Sequence, residues 1–259
     1  MKKKLIFASD FDKTLSVGDV GNILSKKLGI SAEKFDRKIE EIKRRNIVQL
    51  GGELAHLIVR DPDYAGKVTK DLLYEVGKEV ELKKGVSELM KILAEGIDNY
   101  VFAPYIISAA PKECVEKAVE NILPAENVYG TTFTYKNGVV VDVERTNAGH
   151  AKVATLDMLK EKENVPRDAI IYVGDGSSDV HVMLHVMSYN GYPITVSPAP
   201  YMGHICRRSV ISDNVLSILV PILEDLLKYD HEKVRAYFEG RGHSILDWNR
   251  AETEWLDIA

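Results

Sequence analysis

The chain has 259 residues, 45% of them hydrophobic, and a formal net charge of −5. That length suits one large domain, or a core with a smaller inserted module, around a sizeable apolar interior. An acidic balance without a long basic block disfavours nucleic acid as a partner, and two distant cysteines, Cys114 and Cys206, make neither a disulfide framework nor a CxxC metal pattern.

The basic start, Lys2–Lys4, is followed by the short apolar run Leu5–Ala8, which Asp10 soon interrupts. That run is too short for a signal core, and no stretch approaches the roughly 18 apolar residues of a membrane span. A cytoplasmic protein with no membrane partner is expected. Leu5–Ala8 instead suits a buried strand of a parallel sheet. Residues 16–84 then read as helical. Phe35, Ile39 and Ile42 fall at helical spacing, and further patterns run over Asn22–Leu28, Ile47–Val59 and Ala65–Val80. Lys43, Arg44 and Arg45 lie within this stretch, either as a solvated helix face or as contacts for an anionic substrate. Strand patterns follow at Tyr100–Ser108, Ile170–Val173 and Pro193–Ser197, alternating with helical patterns over Pro111–Leu123, His150–Glu163 and Asp179–Ser188. Such alternation predicts an α/β fold with a doubly wound parallel sheet. One hairpin breaks it, with Thr131–Tyr135 and Val139–Val143 flanking Lys136-Asn137-Gly138. From about Asp230 onward, Trp248 and Trp255 stand among charged residues, as in docked terminal helices or a partner surface.

Four groups of residues carry chemistry. Asp10-Phe11-Asp12-Lys13-Thr14 follows the first strand, and extended-chain alternation puts its two carboxylates on one side. In open α/β sheets ligands gather at strand carboxyl ends. Close carboxylates there repel unless a proton or a hard dication such as Mg²⁺ relieves them. Gly174-Asp175-Gly176-Ser177-Ser178-Asp179 repeats the arrangement after another strand. Ser108 ends a strand before a proline-led helix, where a hydroxyl and helix-start amides suit a phosphate oxygen. Lys152 follows a glycine turn and can offset phosphate charge. Each group has a plainer explanation when taken alone: Asp179 and Ser108 as helix caps, Lys152 as a solvated lysine.

Their order is more specific. DxDxT, a serine at a strand end, a lysine and GDGxSD together resemble the haloacid dehalogenase superfamily of phosphatases, over roughly residues 4–200. The helical insert and the Asn-Gly hairpin are similar to its phosphoserine-phosphatase-like branch. The resemblance implies a Rossmannoid core of residues 1–15 and 85–230, a helical cap of residues 16–84 inserted after the first strand, and a C-terminal helical tail of 231–259. It implies Asp10 as nucleophile, forming an aspartyl-phosphate, and Asp12 as general acid and then base. Thr14, Ser108 and Ala109 would hold the phosphate, and Lys152 would neutralise charge. Mg²⁺ would be held by Asp10, the Asp12 carbonyl and Asp175, with Asp179 supporting the metal or orienting Lys152. The second aspartate, Asp12, favours a phosphatase over a dehalogenase.

Two positions depart from the pattern. The glutamate that receives a substrate amine in phosphoserine phosphatases is matched by Asp19, and Ser178 stands where asparagine is usual. The arginine that would receive a substrate carboxylate has three candidates, Arg44, Arg45 and Arg60. His181 and His185 have the spacing of a helical metal pair or of an ordinary packed pair. The expected function is Mg²⁺-dependent hydrolysis of a small phosphorylated metabolite by a monomer or homodimer. A phosphotransferase or mutase, or a catalytically weak phospho-ligand-binding protein, is the alternative.

Overall fold

The computed structural model describes residues 2–245. Its strands are β1 (Lys3–Ser9), β2 (Tyr100–Pro111), β3 (Val128–Lys136), β4 (Val139–Arg145), β5 (Ile170–Gly174), β6 (Tyr192–Thr195) and β7 (Arg208–Ser209). They form one sheet in the order β4-β3-β2-β1-β5-β6-β7. Every neighbouring pair is parallel except the β3–β4 hairpin. In that hairpin Lys136 pairs with Val139, leaving Asn137 (φ 50°) and Gly138 (φ 78°) as a two-residue turn. Both φ values are positive, which asparagine and glycine tolerate best.

The central strands are buried on both faces, so their residues alternate between two cores. Phe7, Ile171 and Val173 join one cluster, and Ile6, Ala8, Ile170 and Tyr172 join the other. Helices α7 (His150–Glu163) and α8 (Val180–Ser188) cover the second face through Leu156, Leu159, Val182 and Val186. The first face receives α5 (Val86–Glu95), α6 (Lys112–Ala118) and the terminal helix (His231–Glu239) through Leu89, Val115 and Val234. Each fully buried leucine or isoleucine contributes about 1.5–3 kcal/mol. The expected α/β architecture, a doubly wound and mostly parallel sheet, is therefore observed.

Four helices lie between β1 and α5: α1 (Val20–Lys27), α2 (Ala32–Arg44), α3 (Glu53–Arg60) and α4 (Lys70–Lys78). The chain enters and leaves this helical segment along one antiparallel pair, with Val17 N–H donating to the Glu81 carbonyl at 2.9 Å and Lys83 N–H to the Leu15 carbonyl at 2.8 Å. The hairpin reaches over to the segment, since Lys70 N–H donates to the Gly138 carbonyl at 2.9 Å.

Several boundaries differ from the sequence expectation. Helix α3 begins at Glu53 rather than near Ile47, because Gly51 (φ 91°) turns the chain out of helical geometry first. Helix α4 begins at Lys70, where Thr69 accepts a capping bond from Leu72 N–H at 3.0 Å, after Gly66 (φ 76°) breaks the preceding pattern. Ser108 does not end its strand. β2 runs on to Pro111, with its register against β3 shifting between Ile107 and Pro111. Helix α6 stops at Ala118 instead of Leu123. The terminal helix is capped by Asp230, which accepts from Lys233 N–H at 2.8 Å. The tail from residue 246, including Trp248 and Trp255, lies outside the described residues. Among the described residues no helix is long and apolar enough to cross a membrane.

Candidate active site

Sheet register brings the motifs together. Ser9, the last residue of β1, is flanked by Ile106 on β2 and Val173 on β5. Asp10 N–H donates to the Val173 carbonyl at 2.8 Å, carrying the ladder one residue further. Asp10, Ser108 and Asp175 therefore stand within two residues of one line across the carboxyl ends of three parallel strands, where open α/β sheets bind ligands.

The turn after Asp10 is tight. Lys13 takes a left-handed conformation (φ 57°), and the N–H groups of Leu15 and Ser16 both point at the Phe11 carbonyl, at 2.9 and 3.0 Å. This winds the chain back so that the Asp12 carboxylate meets the start of α1, accepting from Val20 N–H at 3.1 Å. Asp19 caps the same helix through Gly21 N–H at 2.7 Å and sits 3.7 Å from Lys13 Nζ. Thr14 is fully buried, and its Oγ1 has no hydrogen-bond partner.

Lys152 occupies the centre. Its ammonium is fully buried, 2.8 Å from Asp10 Oδ1 and 2.7 Å from Asp179 Oδ1. Burial alone would lower its pKa, but the two carboxylates outweigh burial and hold it above its ordinary value. Tyr172 also donates to Asp179 Oδ1, at 2.7 Å, while Asp179 Oδ2 accepts weakly, at 3.3 Å, from Asp175 and Gly176 N–H. Both oxygens of Asp179 are thus engaged inside the protein. Asp10 is pushed up to about 8 by burial and by Asp179 and Asp175, against the pull of Lys152. Asp175 is pushed up to about 6 by burial and Asp179, again against Lys152. Burial, then Asp19 and Asp10, drive Asp12 well above the ordinary carboxylate range. Asp10 and Asp179 are buried and Asp12 and Asp175 half-buried. Among the described residues only Lys152 is in contact with these four carboxylates, with Lys13 and Lys83 acting on Asp175 from farther away. Asp10, Asp175 and Asp179 each offer an oxygen, all within 4.8 Å of one another. A set of hard oxygen donors short of positive charge fits a dication such as Mg²⁺.

Ser108 is buried, its Oγ accepting from Ala110 N–H at 3.1 Å. Ala109 lines the cavity above Asp10, and its carbonyl accepts from Thr131 Oγ1 at 2.7 Å. Sequence reasoning missed Asn147, which is 1% exposed and donates to the Tyr129 carbonyl at 2.7 Å and the Ser108 carbonyl at 3.3 Å. It ties the end of β2 to the start of α7 and so fixes Ser108 relative to Lys152. Only tertiary contact reveals that role.

The cavity measures about 310 Å³ and is walled on its far side by the helical segment, including Phe35, Ile39, Glu53 and Leu54. The turn before α3 rests directly on the motif loops. A Cβ on Gly51 would stand 2.8 Å from that of Ser178 and 3.0 Å from that of Ala148. Other candidates are not gathered here. Arg44, Arg45 and Arg60 are exposed and do not line the cavity, though Lys43 does. His181 packs edge-on against His150, with ring centroids 4.0 Å apart, while His185 pairs with Asp157 at 3.1 Å. The two histidines therefore face different partners.

Comparison with known proteins gives the same neighbourhood. The chain is similar in fold to a substrate-bound phosphoserine phosphatase complex (TM-score 0.64, 17% identity, covering 85% of this chain and 98% of that one). It is also similar to a phosphoserine phosphatase described as a phospho-aspartyl intermediate analogue (TM-score 0.65, 18% identity, 84% and 98%). A third likeness is a phosphoserine phosphohydrolase-like protein from Francisella tularensis subsp. tularensis SCHU S4 (TM-score 0.63, 20% identity, 86% and 100%). A sequence comparison with curated proteins returns no match. The model of haloacid dehalogenase-like hydrolases matches residues 7–184, from β1 through the lysine and second acidic motif into α8. With more than half of the chain matched, and every motif of the site inside the match, the protein belongs to the haloacid dehalogenase-like hydrolase family.

Proposed function

We propose that the protein is a Mg²⁺-dependent phosphomonoesterase acting on a small phosphorylated metabolite through an aspartyl-phosphate on Asp10. The observation that carries this reading is the buried Lys152 bridging Asp10 and Asp179. A carboxylate attacking an anionic phosphoryl group needs positive charge beside it. In this reading residues 1–15 and 85–230 form the catalytic core and residues 16–84 a cap closing over the ester.

The chemistry divides between two carboxyl groups. A carboxylate oxygen of Asp10 attacks phosphorus as the bond to the ester oxygen breaks. Asp12 donates its proton to that departing oxygen, releasing the alcohol. Burial, then Asp19 and Asp10, raise its pKa, which is the direction a proton donor needs. In the second half Asp12, now a carboxylate, takes a proton from water. The water oxygen attacks phosphorus, the bond to Asp10 breaks, and inorganic phosphate leaves. Asp10, the Asp12 carbonyl and Asp175 would hold Mg²⁺, which supplies charge neutralisation for the transferring phosphoryl group. Asp179 orients Lys152, consistent with its engaged oxygens. Ser108, Ala109 and Thr14 form the phosphate cradle.

The likeness in fold to a phosphoserine phosphatase described as a phospho-aspartyl intermediate analogue is in keeping with such an intermediate here. The test is phosphate release from a panel of phosphomonoesters, with Mg²⁺ or chelator, by wild type and Asp10→Asn. Release that needs Mg²⁺ and falls below detection in Asp10→Asn is expected. Equal release by the variant would remove Asp10 as the nucleophile.

A further inference from the structure

We infer that the alcohol half of the substrate carries an ammonium group and no carboxylate, and that Glu53 is the residue that reads it; this rests on the phosphatase reading above. The far wall of the cavity is acidic. Asp19, Asp36, Glu40 and Glu53 line it, and the two lysines that line the cavity are exposed and each faces one of these acids, Lys43 at 3.0 Å from Glu40 and Lys13 at 3.7 Å from Asp19. Among the described residues no arginine lines the cavity. A substrate carboxylate would meet like charges there and no bidentate partner.

Glu53 stands apart from the other three carboxylates. It is only 5% exposed, and its Oε2 accepts from Gly51 N–H at 2.8 Å. Its Oε1 is shielded from solvent and has no hydrogen-bond partner among the described residues. A buried carboxylate oxygen without a donor is destabilising until a donor or cation reaches it. Asp19 is already engaged, capping α1 and facing Lys13. Asp36 and Glu40 are exposed at the cavity mouth.

The surroundings suit an organic cation. Phe35, Ile39 and Leu54 line the same wall, so a carboxylate, an aromatic ring and aliphatic side chains share it. The turn bearing Glu53 rests on Ser178, Ala148 and Ala109, beside the proposed phosphate cradle. A cavity of about 310 Å³ limits the alcohol to a short one. The substrate class is a phosphomonoester of a small amino alcohol.

Steady-state phosphate release tests this, with phosphoethanolamine and phosphocholine set against phosphoserine and glycerol phosphate. Wild type is expected to favour the two amino-alcohol esters at least tenfold in kcat/KM. Glu53→Gln keeps an acceptor for Gly51 and the side-chain shape but loses the charge. The ratio of amino-alcohol ester to glycerol phosphate should fall at least tenfold in that variant, through KM. Phe35→Leu, which keeps the wall apolar but removes the ring, should lower the same ratio for phosphocholine. It decides the matter if Glu53→Gln does not fold. Wild type turning over phosphoserine as well as the amino-alcohol esters would overturn the inference. So would an equal loss on all esters in Glu53→Gln, or ratios that neither variant moves. Those results leave the phosphatase reading intact, whereas no Asp10-dependent release from any ester would overturn that reading and this one with it.

Discussion

Lys152 is enclosed between two carboxylates that, among the described residues, have no other full positive charge in contact. Replacing it with methionine keeps the stem and its packing but strands Asp10 and Asp179 in a buried site. Breaking a buried pair in this way costs about 3–5 kcal/mol. Part of that cost is relieved if Asp10 takes up a proton, since the Lys152 charge that pulls its pKa down is then gone while burial and Asp179 still push it up. A protonated Asp10 is no nucleophile, so activity should suffer more than stability. Lys152→Met is expected to lower the melting temperature and to cut kcat by at least about 100-fold. Melting and phosphate release measured together check this, and a variant with wild-type kcat would show that the charge comes from elsewhere. The same residue shows what a sequence reveals at this scale. Asp10, Asp12 and Asp175 were legible because each directly follows a strand pattern, so their placement is nearly local. Lys152 was legible through its place in an ordered set of motifs. Glu53 and Asn147 were not legible, since an acid at a helix start and an asparagine in a turn are commonplace, and their roles depend on the tertiary neighbours that bury them.

At the scale of elements, apolar period located most strands and helices, while glycine conformations set the edges that the pattern misplaced. The apolar residues from Ile47 to Val59 keep a helical rhythm across Gly51, whose φ of 91° ends any helix there. Helix α5 went unpredicted although its apolar face is deeply buried. β7 has only two residues, too few for a period. Charge, by contrast, fixes how α2 meets the loop after α3. Lys34 and Lys38 lie 2.7 and 2.9 Å from Asp63, and Lys38 lies 2.6 Å from Asp61. Hydrogen bonds from Lys34 and then Lys38 hold the Asp63 carboxyl down at about 2, below its ordinary 3.8. A carboxyl whose folded pKa is depressed contributes stability that is present above the unfolded pKa and is lost as pH falls through the folded value. The advantage of wild type over Lys38→Met should therefore narrow as pH falls from about 4 to about 2. Urea midpoints across that range, at low and high salt, measure it. Because the charges are only partly buried, added salt should also narrow the gap. A gap independent of both pH and salt would assign the effect to packing of the lysine stem.

For the whole molecule, the proposed metal site exists only in the folded chain. Asp10 follows β1 and Asp175 follows β5, and the sheet alone brings them together. A dication that binds this arrangement and not the unfolded chain must stabilise the fold by mass action. At a hundred times its dissociation constant the gain is about 2.7 kcal/mol. For a chain of this size that raises the melting temperature by roughly 5–10 °C. Mg²⁺ should produce such a rise, chelator should reverse it, and Asp175→Asn should abolish it. Lys38→Met should retain it, because that lysine lies in the α2 ion-pair cluster and not among the proposed ligands. This measurement needs no substrate, so it separates the metal site from the identity of the ester. An undiminished rise in Asp175→Asn would move the metal away from the carboxyl ends of β1 and β5. No rise in wild type, in protein that still releases phosphate, would mean that Lys152 alone balances the phosphoryl charge.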